Sequence, residues 1–259
     1  MDLPGPVPGC ALLTGMSRPV LPDIPAAEDF RALAASSPWR FTAVHLTHRR
    51  QGHGGATAAD GPVEAWLDRT RHRLVVRTAE GIEVAEGAPY GGAGSGPDSE
   101  LFPLQAGVVL RPDGLVARRP EDWHLDHGDP MWQDYRWTAM LDPVELAQGV
   151  EISDVTATVL RGRATWAATC RPLAGRGEDW VGGYVPRCGC CPLLDSPASR
   201  IREYGPEDPT LTDDLATLYR VHLDVGTGIV VDLTPLDGTE GVSLTTVIHD
   251  VDEPLDPPL

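Results

Sequence analysis

From Thr217 to Ile248 the chain alternates apolar and polar residues with a period of two, and glycine-containing turns break the pattern twice. Thr217, Tyr219, Val221 and Leu223 alternate with Leu218, Arg220, His222 and Asp224. Gly226-Thr227-Gly228 then leads into Ile229-Val230-Val231-Asp232-Leu233, and Asp237-Gly238 into Val242-Ser243-Leu244-Thr245-Thr246-Val247-Ile248. Successive side chains of a strand point to opposite faces, so this pattern fits half-buried antiparallel strands joined by tight turns. It predicts a three-stranded meander that needs no crossover helix.

The same period recurs upstream. Leu74 and Val76 face away from Arg71, Arg73 and Arg77, while Ala164, Trp166, Ala168 and Cys170 are expected inward of Arg163, Thr165, Thr169 and Arg171. Further strands are expected at 39–49, 63–68, 82–85, 106–110, 152–160 and 180–185. Helical spacing is rarer: Phe30, Leu33 and Ala34 share a face within 26–35, and Ser36-Ser37-Pro38 ends that helix. Asp142-Pro143-Val144-Glu145-Leu146-Ala147-Gln148-Gly149 reads as a two-turn helix with Asp142 as N-cap, Pro143 at its first position and Gly149 as its stop. The chain is thus expected to form one α+β domain over 26–255, behind an irregular Pro- and Gly-rich arm at 1–25.

Charge and composition set several functions aside. The net charge is −17, and it sits in residues 121–259, which hold 9 Arg against 25 Asp and Glu. Such a half repels phosphate backbones, so no nucleic-acid partner is expected. The absence of Lys excludes Schiff-base catalysis, and the absence of Asn excludes N-glycosylation. No apolar run approaches the roughly 18 residues of a spanning helix, so no transmembrane segment is expected. Met1-Asp2-Leu3-Pro4-Gly5-Pro6-Val7-Pro8 is unlike a signal peptide, which points to a cytoplasmic protein with reduced thiols and leaves Cys10 in the arm.

The densest chemistry is Pro186-Arg187-Cys188-Gly189-Cys190-Cys191-Pro192, three of the five cysteines within four positions. In an extended segment Cys188 and Cys190 face one way and Cys191 the other, but Gly189 and Pro192 favour a turn that brings all three together. Converging thiolates would bind zinc or copper(I), with a fourth ligand from His222, His249 or Cys170. The alternatives are thiols packed in a tight loop, or a strained Cys190–Cys191 redox pair. Cys170, in phase with Trp166, reads as core.

Other candidates are weaker. His124 and His127 lie near Asp126 and Asp129 in a Gly- and Pro-containing loop, while His45 and His48 fall on opposite strand faces and cannot chelate one ion. His222 and Asp224 share a polar face with Arg220, yet no Ser or Cys sits in a strand-to-helix elbow to act as nucleophile, so an ion-paired face is expected and not an enzyme. The Gly-rich run at 91–97 lacks the Lys and helix start of a phosphate cradle. Trp132, Tyr135 and Trp137 cluster before Asp142; rings with polar tips there either line a pocket mouth or pack the helix on the sheet.

The element order resembles the bacterial lipoprotein-carrier (LolA/RseB-like) superfamily over roughly residues 26–255. The likeness rests on the Asp142–Gly149 segment, Gly162-Arg163-Ala164-Thr165-Trp166, Leu223-Asp224-x-x-Thr227-Gly228-Ile229-Val230 and Val251-Asp252-Glu253-Pro254. It implies a curved antiparallel sheet, an unclosed β-barrel, with a few short helices at its mouth. A non-catalytic binding protein is therefore expected, holding an apolar small molecule or a partner protein's peptide in the concave face near Trp132, Tyr135 and Trp137. The alternative is a metal-binding or thiol-redox sensor at Cys188, Cys190 and Cys191, with zinc or copper as the cofactor considered.

Overall fold

The computed structural model describes residues 21–52, 61–87, 107–120 and 128–258. The Gly-rich run at 91–97, His124, Asp126, His127, Cys10 and most of the N-terminal arm lie outside the described residues. Among the described residues, eleven strands and three α-helices run in the order α1 (Ala27–Ser36), β1 (Ala43–Gln51), β2 (Val63–Asp68), β3 (Arg73–Arg77), β4 (Ile82–Glu86), β5 (Val109–Leu110), β6 (Val116–Arg118), α2 (Tyr135–Leu141), β7 (Val150–Leu160), β8 (Arg163–Pro172), α3 (Pro197–Tyr204), β9 (Tyr219–Asp224), β10 (Val230–Pro235) and β11 (Ser243–Val251).

Nine strands form one curved, unclosed antiparallel sheet in the order β4-β3-β2-β1-β11-β10-β9-β8-β7, and β5 and β6 pair separately. The α+β architecture implied by the resemblance is therefore present. The C-terminal meander is β9-β10-β11, with Tyr219, Val221 and Leu223 buried as their period requires. Its first turn is set by Asp224, whose carboxylate accepts from the Thr227 N–H (2.8 Å) and hydroxyl (2.9 Å). Gly228 follows at φ +78°, and a Cβ there would lie 2.9 Å from the Leu33 carbonyl oxygen of α1.

β1 and β11 hold the two halves of the sheet together. Their register sets His48 against Thr246 and Arg50 against Leu244, and a bulge between His45 and Leu46 shifts the pairing at the far end. Val44, Leu46 and His48 consequently face the helices, while His45 and Thr47 face outward. Both sheet edges are poor templates for further pairing: β4 is short and carries Glu83 and Glu86, and β7 is bulged between Ser153 and Thr156.

α1 carries Glu28 and Asp29 in its first turn, where they complement the helix dipole, and buries Phe30, Leu33 and Ala34. Together with Trp137, Met140 and Leu141 of α2 these side chains fill the covered face against Tyr219, Val221 and Leu223.

Three sequence expectations need correction. The segment at 142–149 is a 3-10 turn, Val144–Ala147, and Asp142 ends α2 instead of capping a new helix, because its carboxylate is engaged by Arg119 and Arg187. The expected strand at 180–185 is loop, since Trp180 and Gly182 sit at φ +55° and +73°, which a strand does not allow. On β8, Ala164, expected inward, is exposed and Thr165, expected outward, is buried, because both faces of the strand are covered from Thr165 to Ala168. Two helices escaped the sequence reading, α2 and α3.

Candidate functional site

The turn at 187–191 brings all three clustered thiols together. Cys188 Sγ lies 3.1 Å from Cys190 Sγ and 3.2 Å from Cys191 Sγ, and the remaining side of the triangle is 3.8 Å. No disulfide joins them. Cys190 is exposed and Cys191 buried.

The loop is braced from beneath by a single buried carboxylate. Glu145 Oε1 accepts from the Arg187 backbone N–H (3.1 Å) and Oε2 from the Leu193 N–H (3.1 Å), so one side chain pins both ends of the cysteine segment. The Tyr184 hydroxyl donates to the same carboxylate and accepts from the Leu194 N–H at 3.1 Å. Burial nonetheless pushes the Glu145 pKa up, against those hydrogen bonds. Arg187 reaches from the loop to Asp142 (3.1 Å) and to the Tyr135 hydroxyl (3.1 Å). Burial opposes ionisation of Asp142, but Arg119 and Arg187 hold its pKa below the ordinary carboxylate value. The Asp142-Pro143-Val144-Glu145 run thus supplies both acidic anchors of the cysteine loop.

None of the fourth ligands considered from sequence joins the thiols; among the described residues the converging group consists of Cys188, Cys190 and Cys191 alone. Cys170 is fully buried in β8, and burial raises its thiol pKa to about 12. His249 Nε2 lies 2.8 Å from the Thr47 hydroxyl on the outer face, and His222 Nδ1 lies 3.9 Å from Asp232. Asp224 is bonded to Arg163 at 2.7 Å and within its own turn, so His222 and Asp224 form no relay. Asp129, near the His124–His127 segment, is the buried partner of Arg69.

A second feature lies on the covered face at the end of β1, β2 and β11. It is a small recess of about 20 Å³ lined by His48, Arg50, Trp132, Arg136 and Trp137 among others. That is room for about one water molecule or the head of a small polar group. Trp132 and Trp137 meet edge to face at 5.5 Å, and His48 stands edge-on to Trp137 at 5.2 Å. Tyr135, the third ring of the sequence cluster, turns instead toward Arg187.

The polar groups of this recess are almost all donors. Arg136 is 2% exposed. Its Nε donates to the Pro192 carbonyl at 2.8 Å, but Nη1 and Nη2 have no partner among the described residues. Arg50 Nη2 and the Trp137 indole N–H are likewise buried without an acceptor among the described residues, although Arg50 Nη1 meets Asp134 at 2.6 Å. Burial and the Arg50 charge lower the His48 pKa to about 3, so its imidazole is neutral, with Nδ1 3.0 Å from the Thr246 hydroxyl. Sequence reasoning found the two tryptophans and missed both arginines. Arg50 belongs to a strand whose alternation turns it inward, and Arg136 lies between Tyr135 and Trp137, a charge inside an aromatic run.

Among the described residues no helix is long and apolar enough to cross a membrane. No family model matches the chain, and no curated protein matches it. Among solved structures it is similar to LprF of Mycobacterium bovis, with 12% identity, 91% of this chain and 98% of that chain covered and a TM-score of 0.34. It is also similar to the lipoprotein LppX of Mycobacterium tuberculosis, with 15% identity, 90% of this chain and 97% of that chain covered and a TM-score of 0.40.

Proposed function

We propose that this chain is a non-catalytic binding protein whose ligand joins a carboxylate head to an apolar body, with the head seated in the recess at the end of the covered face. The observation that carries this reading is the set of buried donors without an acceptor among the described residues: Arg136 Nη1 and Nη2, Arg50 Nη2 and Trp137 Nε1. Buried guanidinium N–H groups left without an acceptor are costly, and an anionic acceptor relieves that cost with charge-assisted hydrogen bonds. Rings at Trp132 and Trp137 supply an apolar wall beside the donors. The concave face behind them is filled by the protein's own side chains, which supports a reading with the ligand's body at the mouth and not deep inside.

Medium-chain carboxylic acids titrated against the matched alcohols test this reading by tryptophan fluorescence and calorimetry. The acids are expected to saturate a fluorescence change that the alcohols do not produce, and Arg136→Met is expected to abolish it. Arg50→Gln, farther from the centre of the core, is expected to weaken acid binding by about tenfold, the loss of one charge-assisted hydrogen bond. Equal responses to acid and alcohol, or no response to either in the folded protein, overturn the proposal.

A further inference from the structure

The geometry points to a metal site at Cys188, Cys190 and Cys191, a trithiolate cup for a thiophilic cation that is separate from the recess. The three sulfur positions define a triangle with sides of 3.1, 3.2 and 3.8 Å. From those sides, a point about 2.0 Å from each sulfur lies in their plane; an ion at the ~2.3 Å of a zinc–thiolate bond sits roughly 1.2 Å above it, in a trigonal pyramid. The Cys190–Cys191 separation of 3.8 Å already suits two thiolates of a tetrahedral zinc, and the two shorter sides need to open by only about 0.6 Å, with the apex left to a fourth, exogenous ligand.

Three observations separate this cup from thiols that merely fill space. Cys190 is exposed and Cys188 partly so, whereas a packing cysteine in this fold looks like Cys170, wholly enclosed. The loop is held at both ends by Glu145, the kind of outer support that fixes ligands in advance of an ion. A carboxylate also stands beside it: Glu203 packs so closely on Gly189 that a Cβ there would lie 1.9 Å from its Oε2. A negative neighbour favours a cation over an anion at this place. Soft thiolates with no nitrogen or oxygen ligand among them select zinc, cadmium or copper(I) over magnesium or calcium.

The test uses the reduced full chain under anaerobic conditions with cadmium ion as the probe. One equivalent is expected to produce a saturating sulfur-to-cadmium charge-transfer absorption and to withdraw three thiols from titration, and one zinc ion per chain is expected to survive dialysis. Cys188→Ser and Cys190→Ser, neither in the core, are each expected to weaken cadmium binding by more than about a hundredfold, beyond what loss of an outer-sphere support causes. Cys170→Ala, a thiol outside the cup, is expected to leave binding unchanged. A folded protein that shows no charge-transfer band overturns the site, as does one whose thiols all titrate freely with cadmium present, or one that loses two thiols to mild oxidant without ever binding the ion.

Discussion

Arg69 and Asp129 form a bidentate ion pair in the interior: Nε to Oδ1 is 2.8 Å and Nη2 to Oδ2 is 2.7 Å, with both side chains 1% exposed. Arg69 also donates to the Ser37 carbonyl at 2.9 Å and lies over the Phe41 ring at 3.7 Å, so the pair ties the end of β2 to the segment after α1 and to the approach to α2. Removing Asp129 takes the bidentate carboxylate away from a guanidinium that stays buried. Asp129→Ala is expected to lower stability by about 3–5 kcal/mol, read as a fall in the urea midpoint with unchanged slope.

Gly149 and Gly162 differ in a way that substitution exposes. Both have positive φ, at +65° and +79°, but a Cβ on Gly149 would lie 2.0 Å from the Gly183 carbonyl oxygen, whereas nothing lies within 4 Å of one on Gly162. Gly162→Ala should cost only the left-handed conformation, about 1–2 kcal/mol. Gly149→Ala should cost clearly more, since backbone must move, and comparative denaturant melts decide between them.

His48 makes stability depend on pH. Its native pKa is lowered from 6.5 to about 3, first by burial and then by Arg50, so below the unfolded value the unfolded chain binds the proton more readily. The contribution is complete above pH 6.5 and is lost as pH falls toward about 3, at up to ~1.4 kcal/mol per pH unit. Stability profiles of the wild type and His48→Gln should converge at low pH and separate near neutrality.

Glu145 carries the cysteine loop, so its removal should be felt there first. Glu145→Ala leaves the Tyr184 hydroxyl and the N–H groups of Arg187 and Leu193 without their acceptor, each costing about 1–3 kcal/mol if it stays buried. Amide exchange at Arg187 and Leu193 should accelerate well before exchange in β9 to β11. Equal acceleration across the sheet would show that Glu145 supports the whole fold and not the loop.

The cysteines should separate by reactivity. In the reduced, metal-free native protein iodoacetamide is expected to label Cys190, and Cys170 only after unfolding, because Cys170 is fully enclosed and its thiol pKa is raised to about 12 by burial. Peptide mass spectrometry reads both sites at once.

Local pattern determined much of this protein. The strand character of β3, β8 and β9, the Asp224 turn into β10, the α1 helix and the core position of Cys170 follow from side-chain alternation and turn chemistry, which act between near neighbours. The three clustered thiols were also visible, as was the aromatic group at Trp132 and Trp137. α2 was not legible, because all seven of its residues are buried and it has no polar face to set a helical period.

Tertiary structure alone decided the rest. Asp142 reads as a helix cap until Arg119 and Arg187 arrive from distant segments, and Glu145 reads as one residue of that helix until the loop at 187–193 folds over it. The pairing of β1 with β11 joins residues some two hundred positions apart. Arg136 touches both candidate sites, donating to Pro192 at the cysteine loop while its free edge faces the recess. Sequence period reports which face of an element is apolar, but not which partner covers it, and buried charges take their role from partners that only the completed fold supplies.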